Sequence, residues 1–308
     1  MRRPRKHPPL SISQDNPLVI WRFCDGKRGH ENQTLGLVEA LRRRLPVKLF
    51  NFNLRTTGGP TSDTLTPGLL LGAGHRTHDA VWRAQRRTRA RSVILMKPSL
   101  GRKRFDLCVV PEHDGLSAQP GVLLTRGVLN RVRPAQSKIP GSGLIAIGGP
   151  SRHHDWLSAE IVAQVQAIIA ASEPGQSWQL TNSRRTPEAT WRALEALAKR
   201  DVVCSDWRQV GAGWLVSTLA ESEVAWVSED SVSMVYEALS AGAGAGLLSV
   251  PRRSAGRVVK GATLLIADQS VTTFGSWQSG SPLRPLNPVL NEADRVAHWI
   301  EHQWLETA

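Results

Sequence analysis

Short apolar runs and helical periods alternate along this chain. The first run, Pro17–Cys24 (PLVIWRFC), is dense in branched and aromatic residues and has the length of one buried strand. NQTLGLVEALRRRL follows, with Leu35, Val38 and Leu41 on one stripe of a predicted helix that begins near Asn32. VKLFNFNL reads as a second strand, and a polar Gly/Thr-rich loop leads to a third, GLLLGAG. A basic helix is expected over Thr77–Arg89, then strands in RSVILMKPS, FDLCVVPE and VLLTRG. The turn-rich stretch Pro134–Gly143 (PAQSKIPGSG) reads as a linker.

Beyond it the pattern restarts. LIAIGG, WQLTNS, DVVCSDW, EVAWVSE and AGLLSV read as strands. Between them lie the helical segments SAEIVAQVQAIIAAS, PEATWRALEALAKR with Pro187 near its first turn, and SVSMVYEALSAG with Gly242 as its C′ residue. NEADRVAHWIEHQWLE closes the chain as an amphipathic helix with Val296, Trp299 and Ile300 on one side. Strands alternating with helices predict an α/β fold of two Rossmann-like domains with parallel sheets. The expected division is a disordered basic tail (1–16), a first domain (17–140), a second (141–285) and a C-terminal helix (286–308). Ligands of such folds sit beyond the carboxyl ends of the strands, so two facing domains are expected to share a cleft.

Charge sharpens the division. The 308 residues carry 39 Lys and Arg against 26 Asp and Glu. Residues 17–140 hold 22 bases and 8 acids, whereas residues 141–308 hold 13 bases and 17 acids. Only 8 of the bases are Lys, so a GC-rich genome accounts for part of the Arg excess but not for where the acids collect. A basic first domain predicts an anionic partner: a phosphorylated substrate or an anionic membrane surface. The basic clusters are not interleaved with aromatics and carry no nucleic-acid motif, which argues against nucleic acid. No apolar run approaches the roughly 18 residues of a membrane span. Cys24, Cys108 and Cys204 form no CxxC and leave an odd thiol, and the N-terminus lacks an apolar signal core. The expected location is therefore the cytoplasm, peripheral at the inner membrane where the basic domain meets lipid.

The candidate chemistry falls at strand ends. DGKRGHENQ offers Gly26 and Gly29 for a close turn, Lys27 and Arg28 for charge, and Asp25, His30 and Glu31 for acid–base work. The plain alternative is a capped turn with solvated charges. It is neither a Walker loop nor a GxGxxG fingerprint, which disfavours nucleoside-triphosphate hydrolysis and NAD. GAGHRTH contributes Gly74 and His75; its HxxH with His78 lacks a third ligand, so no metal site is expected. Lys97 and Glu112 end two further strands, and Glu112, His113 and Asp114 together form a group able to orient a base. In the second half, Gly148, Gly149, Ser151 and Arg152 combine bare backbone, hydroxyl and guanidinium, a set suited to a diphosphate. Ser183, Arg184 and Arg185 end the next strand, and Asp230, Ser231 and Ser233 stand at a helix start.

At these residues the sequence resembles a family. WRFCDGKRGHENQ, LGAGHRTH, MKPS, PEHDG, LLTRGVLN, IGGPSRHHDW, SRRTP and SEDSVSMVYEAL, in this order, are similar to the mitochondrial fission "elongated mitochondria" family, as a bacterial-type member, from about Leu18 to Phe274. Plant members are linked to recruiting a dynamin-related protein, so this resemblance implies an adaptor. More distantly the chain resembles glycosyltransferases and epimerases of the two-Rossmann-domain GT-B type. That likeness implies that Gly29 and His30 serve the acceptor, that Gly148, Gly149 and Ser151 contact a donor diphosphate, and that Glu237 holds a ribose. The chain departs from the pattern at Ser231, where a glycine is expected. Glu229 and Asp230 precede it and would repel a diphosphate unless Arg184, Arg185 or a divalent cation intervenes; Asp230 is otherwise an N-cap.

Two expectations result. One is a GT-B-like enzyme that binds a nucleotide-sugar in the second domain and transfers or modifies the sugar, with His30 or Glu31 as base. It needs no cofactor beyond that substrate, with a divalent cation left open. The other is a non-catalytic scaffold docking a protein or membrane through the arginine-rich helix THDAVWRAQRRTRARS, whose plain alternative is a solvated face. The oligomeric state is left open.

Overall fold

The computed structural model describes residues 9–56, 60–61, 64–99, 101–254 and 256–307. They fall into two compact units, Met1–Arg131 with Asn291–Ala308, and Val132–Leu290.

The first unit runs β1 (Leu10–Ile12), β2 (Leu18–Cys24), α1 (Arg28–Arg42), β3 (Val47–Asn53), β4 (Leu69–Ala73), α2 (His75–Thr88), β5 (Arg91–Leu95), β6 (Leu107–Pro111) and β7 (Val122–Thr125). Six of these strands form one parallel sheet, in the order β3-β2-β4-β5-β6-β7. The inner strands β4 and β6 are apolar throughout and fully buried because both faces are covered, whereas the edge strand β3 carries Lys48, Asn51 and Asn53. Leu69, Leu71, Val93, Leu95, Leu107 and Val109 pack with α1, while Leu70, Ile94, Cys108 and Val110 pack with Val81 and Ala84 of α2. The period of two sorts neighbouring residues onto opposite faces.

The second unit contains β8 (Ser142–Ala146), α3 (Ser158–Ala170), β9 (Ser177–Thr181), α4 (Glu188–Glu195), β10 (Val202–Ser205), α5 (Trp214–Glu221), β11 (Val224–Ser228), α6 (Val232–Ser240), β12 (Gly244–Leu248), α7 (Arg257–Ala267), β13 (Thr272–Thr273) and α8 (Phe274–Gln278). Its parallel sheet has the order β10-β9-β8-β11-β12-β13. Trp178, Trp191 and Trp226 fill the core with Ile145, Ile161 and Leu194, and Trp226 meets Trp277 edge-on at 5.4 Å. Gly242 has φ +68° just after α6, the left-handed C′ position at which a glycine carries no Cβ penalty.

The chain ends in α9 (Glu292–Trp304) and β14 (Leu305–Thr307). This segment, expected as a separate helix, belongs to the first unit. Ala293, Val296, Ala297 and Ile300 bury against the α1 side of that sheet, with Arg43–Asp294 (2.7 Å) and Arg44–Glu301 (2.5 Å) pairs flanking them. β14 pairs in parallel with β1, so residues 10–12 form a strand where a disordered tail was expected; residues 1–8 lie outside the described residues. Periodicity names the buried stripe of α9 but not the sheet it covers. The charge balance moves with it: the first unit holds 25 bases and 13 acids, net +12, and the second 14 and 13, net +1. The second unit is near neutral rather than acidic.

Candidate functional site

Each sheet has one point where successive connections leave in opposite directions, and ligands of open α/β sheets gather there. In the first unit it lies between β2 and β4, in the second between β8 and β11. Both points carry the residues singled out from the sequence.

In the first unit α1 starts at Arg28, four residues before the position its apolar period predicts. Lys27, in extended conformation, is its N-cap, and its carbonyl accepts the amides of His30 and Glu31 at 3.0 Å. Gly29, His30 and Glu31 therefore lie in the first helical turn rather than in a loop. Asp25, 1% exposed, accepts the Lys27 amide on Oδ1 at 3.1 Å and faces His30 Nδ1 with Oδ2 at 2.9 Å. With an ionised carboxylate as its partner, the neutral ring carries its proton on Nδ1 and its lone pair on Nε2. The ring lies against Gly74, where a Cβ would overlap it; Gly74 has φ +78° and is the N-cap of α2. Asp25, His30 and Gly74 are thus one cluster built across β2 and β4.

Other residues named from the sequence do not join it. Gly26 (φ +76°), Lys27, Gly29 and His75 are exposed, and a Cβ on Gly26 would crowd the Arg55 side chain. The Glu31 carbonyl, not its carboxylate, is engaged, by Arg22 at 3.0 Å and Thr34 at 3.0 Å. Lys97 binds Asp114 instead, amide to Oδ2 and Nζ to carbonyl, both at 3.3 Å, while Glu112 is exposed. His78 is buried beside Phe105 with Nδ1 3.1 Å from Ser99 Oγ, and burial pulls its pKa down to about 4, so it is neutral at pH 7. Arg22 was missed. Buried in β2, it ties Nε to Thr34 Oγ1 (2.7 Å) and Nη1 to Asn51 (2.9 Å), anchoring the first turn of α1 that carries His30. A lone cation within the apolar run PLVIWRFC is the signal that would have found it.

In the second unit, the Gly148 amide donates to Ser228 Oγ at 2.7 Å, and the Gly149 amide donates to Asp230 Oδ2 at 3.1 Å. Arg185 clamps the same corner, with Nη2 on Asp230 Oδ2 at 2.6 Å and Nη1 on the Gly149 carbonyl at 2.7 Å. Ser183 Oγ and Thr186 Oγ1 donate to the Gly148 carbonyl at 3.0 and 2.5 Å. The room left by the two glycines is taken by protein: a Cβ on Gly148 would overlap the Asp230 carboxylate, and one on Gly149 the Arg185 carbonyl. Asp230 is not the N-cap of α6, a position held by Ser231 without a side-chain cap bond. Ser151 accepts the amides of His153 and His154 within its own turn, at 3.2 and 3.1 Å. Arg152 donates to His153 at 2.8 Å, and Arg184 and Ser233 are exposed.

Glu229 and Asp230, the pair expected to repel a diphosphate, each hold their own guanidinium. Glu229 takes a fork from Arg252, Nε at 3.1 Å and Nη2 at 3.0 Å; this arginine, 23 residues on, was not anticipated. Glu237 is different. It is 9% exposed on α6, no group among the described residues bonds its carboxyl, and burial alone pushes its pKa up to about 7. Among the described residues no group of three or more His, Cys, Asp or Glu is placed to hold a metal ion.

With this geometry established, similarity to known proteins is informative. The model of the mitochondrial fission ELM1 family matches residues 28–304. The chain belongs to that family. No curated protein sequence matches it significantly. Among solved structures, the ELM1-family chain resembles the UDP-GlcNAc 2-epimerase from Methanocaldococcus jannaschii, with TM-score 0.57 and 10% identity over 92% of this chain and 100% of that one. It also resembles a protein from Listeria monocytogenes described as a UDP-N-acetylglucosamine 2-epimerase, with TM-score 0.55 and 12% identity over 95% and 99%. The Methanocaldococcus enzyme in complex with UDP-GlcNAc and UDP matches with TM-score 0.51 and 10% identity over 92% and 99%. At such identities the likeness establishes a shared fold, two parallel six-stranded α/β sheets of the GT-B kind, for the ELM1-family chain.

Proposed function

We propose that the chain binds a nucleotide-sugar in its second unit and transfers or modifies the sugar. Glu237 carries this reading: a nearly buried carboxyl without a partner, on the helix after the switch-point strand, matches the two hydroxyls of a ribose. The fold neighbour seen with UDP-GlcNAc and UDP supports the ligand class. Arg185, the exposed Arg184 and the start of α6, with the Ser231 and Ser233 hydroxyls and the amides of Val232 and Ser233, supply positive charge and donors for the diphosphate. In the first unit, His30 held by Asp25 acts as base. Its Nε2 would take the proton of an acceptor hydroxyl bound to the first unit. Within the second unit, the Arg185 guanidinium and the amides that begin α6 would stabilise the charge left on a diphosphate when a sugar–phosphate bond breaks. Titration of wild type and Glu237→Ala with UDP, UDP-sugars and other nucleotide-sugars tests the assignment. Binding that Glu237→Ala abolishes supports it; equal affinity in the two proteins removes the ribose role.

A second reading has its own observation. The Asp230 carboxylate fills the glycine corner where a diphosphate would lie, as expected of a scaffold that keeps the fold without the ligand. Such a scaffold would dock an anionic membrane surface through α2, where Arg76, Arg83, Arg86 and Arg87 are exposed and Trp82 is stacked between Arg86 (5.2 Å) and Arg104 (5.0 Å). No helix among the described residues is long and apolar enough to cross a membrane. Flotation with anionic vesicles against neutral ones tests this face; recovery with neither type rejects it.

A further inference from the structure

The corner between β8 and β11 is built for an anion, and the anion in it is the protein's own. Asp230 is 5% exposed, and its Oδ2 collects both the Gly149 amide at 3.1 Å and Arg185 Nη2 at 2.6 Å. Its Oδ1 is buried and bonded to nothing. A glycine at 148 leaves room for the carboxylate where any side chain would overlap it. The next helix, α6, begins immediately after it, and its N-cap Ser231 supplies no side-chain bond, so the amides of Val232 and Ser233 at that end receive no cap. An amide, a guanidinium and a helix N-terminus around bare backbone are the donors of a phosphate site. A phosphoryl group presents the same kind of anionic oxygen, so it competes for the two donors that Asp230 Oδ2 now holds.

We propose that this is a diphosphate site held shut by Asp230, and that a diphosphate binds by displacing the carboxylate from Gly149 and Arg185. Displacement needs only a side-chain rotation, because the backbone at this point is fixed independently by the Ser231 amide on the Ser228 carbonyl at 3.0 Å. Arg185, with its side chain 40% exposed, can keep its bond to the Gly149 carbonyl while exchanging one anion for the other. The inference rests on the diphosphate half of the reading above and not on the ribose half, so Asp230 sets the affinity and Glu237 is not required.

Inorganic pyrophosphate is the probe, because it lacks both ribose and base. By calorimetry, Asp230→Ala is expected to bind it at least about tenfold more tightly than wild type, as two charge-assisted bonds are freed for the ligand. Adding Arg185→Ala to that variant removes the gain. In thermal scans Asp230→Ala melts below wild type in plain buffer and recovers on addition of pyrophosphate, whereas wild type responds weakly. If Asp230→Ala does not fold, Asp230→Asn keeps the shape, removes the charge, and should still gain about threefold or more. A folded variant that binds pyrophosphate no better than wild type overturns the proposal. Pyrophosphate binding by Asp230→Ala with no nucleotide binding by any variant would sink the ribose assignment and leave the plug standing; UDP binding lost in Glu237→Ala with no gain at Asp230 would do the reverse.

Discussion

The imidazole of His30 rests on the backbone of Gly74, in the space a Cβ would occupy. Gly74 also has φ +78° and ψ 157°, a region essentially reserved for glycine. Gly74→Ala is therefore expected to cost about 1–3 kcal/mol from the backbone alone, and to push His30 off Asp25 as well. Gly29, one residue before His30, has open space around a Cβ and ordinary helical backbone. Gly29→Ala should be neutral or stabilising by up to about 1 kcal/mol. Urea midpoints of the two variants give the comparison, and equal losses would refute the steric argument.

The hydrogen bond from His30 Nδ1 to Asp25 fixes a tautomer as well as a position. Asp25→Asn replaces an obligate acceptor with a group that can also donate, so the Nε2–H tautomer becomes populated. Nitrogen NMR of the labelled imidazole should show Nδ1 protonated in wild type and a mixture in the variant. If His30 is the base, turnover falls by about 10²- to 10⁴-fold with little change in fold. An unaltered tautomer would show that Asp25 does not orient the ring.

Much of this was legible in the chain. The apolar runs of β2, β4, β5 and β6 read as strands because both faces are covered, and the loop from Asp25 to Glu31 was already the leading candidate for acid–base chemistry. The partners were not legible. His30 meets Gly74 only because β4 lies beside β2, and Glu229 meets Arg252 only because the chain returns past β12. Asp230 precedes a helix, where a capping role is the natural reading; the Gly149 amide draws it elsewhere. β13 and α8, two and five residues long, are too short to show a period at all. The helix start at Arg28 was missed because its first turn faces solvent and carries no apolar stripe.

The Glu229–Arg252 fork is partly buried, with side-chain exposures of 10% and 37%. Removing the arginine strands a carboxylate in a poorly solvated place, a change worth about 3–5 kcal/mol for fully buried pairs. Solvent reaches the Arg252 side here, so we expect about 1–2 kcal/mol for Arg252→Ala. Glu229→Gln in the same background should recover part of it, since the stranded charge is gone. A double-mutant cycle measures the coupling, and strictly additive losses would mean that the two groups do not depend on each other.

Glu237 makes stability and ligand binding respond to pH in opposite senses. Its pKa is raised by burial from 4.5 to about 7, so between these values the folded protein holds a proton that the unfolded chain has released. Stability from this group is complete below pH 4.5 and is lost as the pH rises through 7, because the folded state must then bury a bare charge. About 2.5 units at 1.36 kcal/mol each set the scale at roughly 3 kcal/mol. Glu237→Gln cannot ionise, so it should match wild type near pH 4.5 and exceed it in stability at pH 8. A ribose diol, in contrast, donates to the carboxylate, so binding under the proposed function should tighten as the pH passes 7 and release fewer protons above it. Denaturation and calorimetry across pH 4.5–8.5 report both trends. A Glu237→Gln stability curve parallel to that of wild type would show that Glu237 does not titrate in this range, and nucleotide affinity that weakens on raising the pH would count against the diol contact.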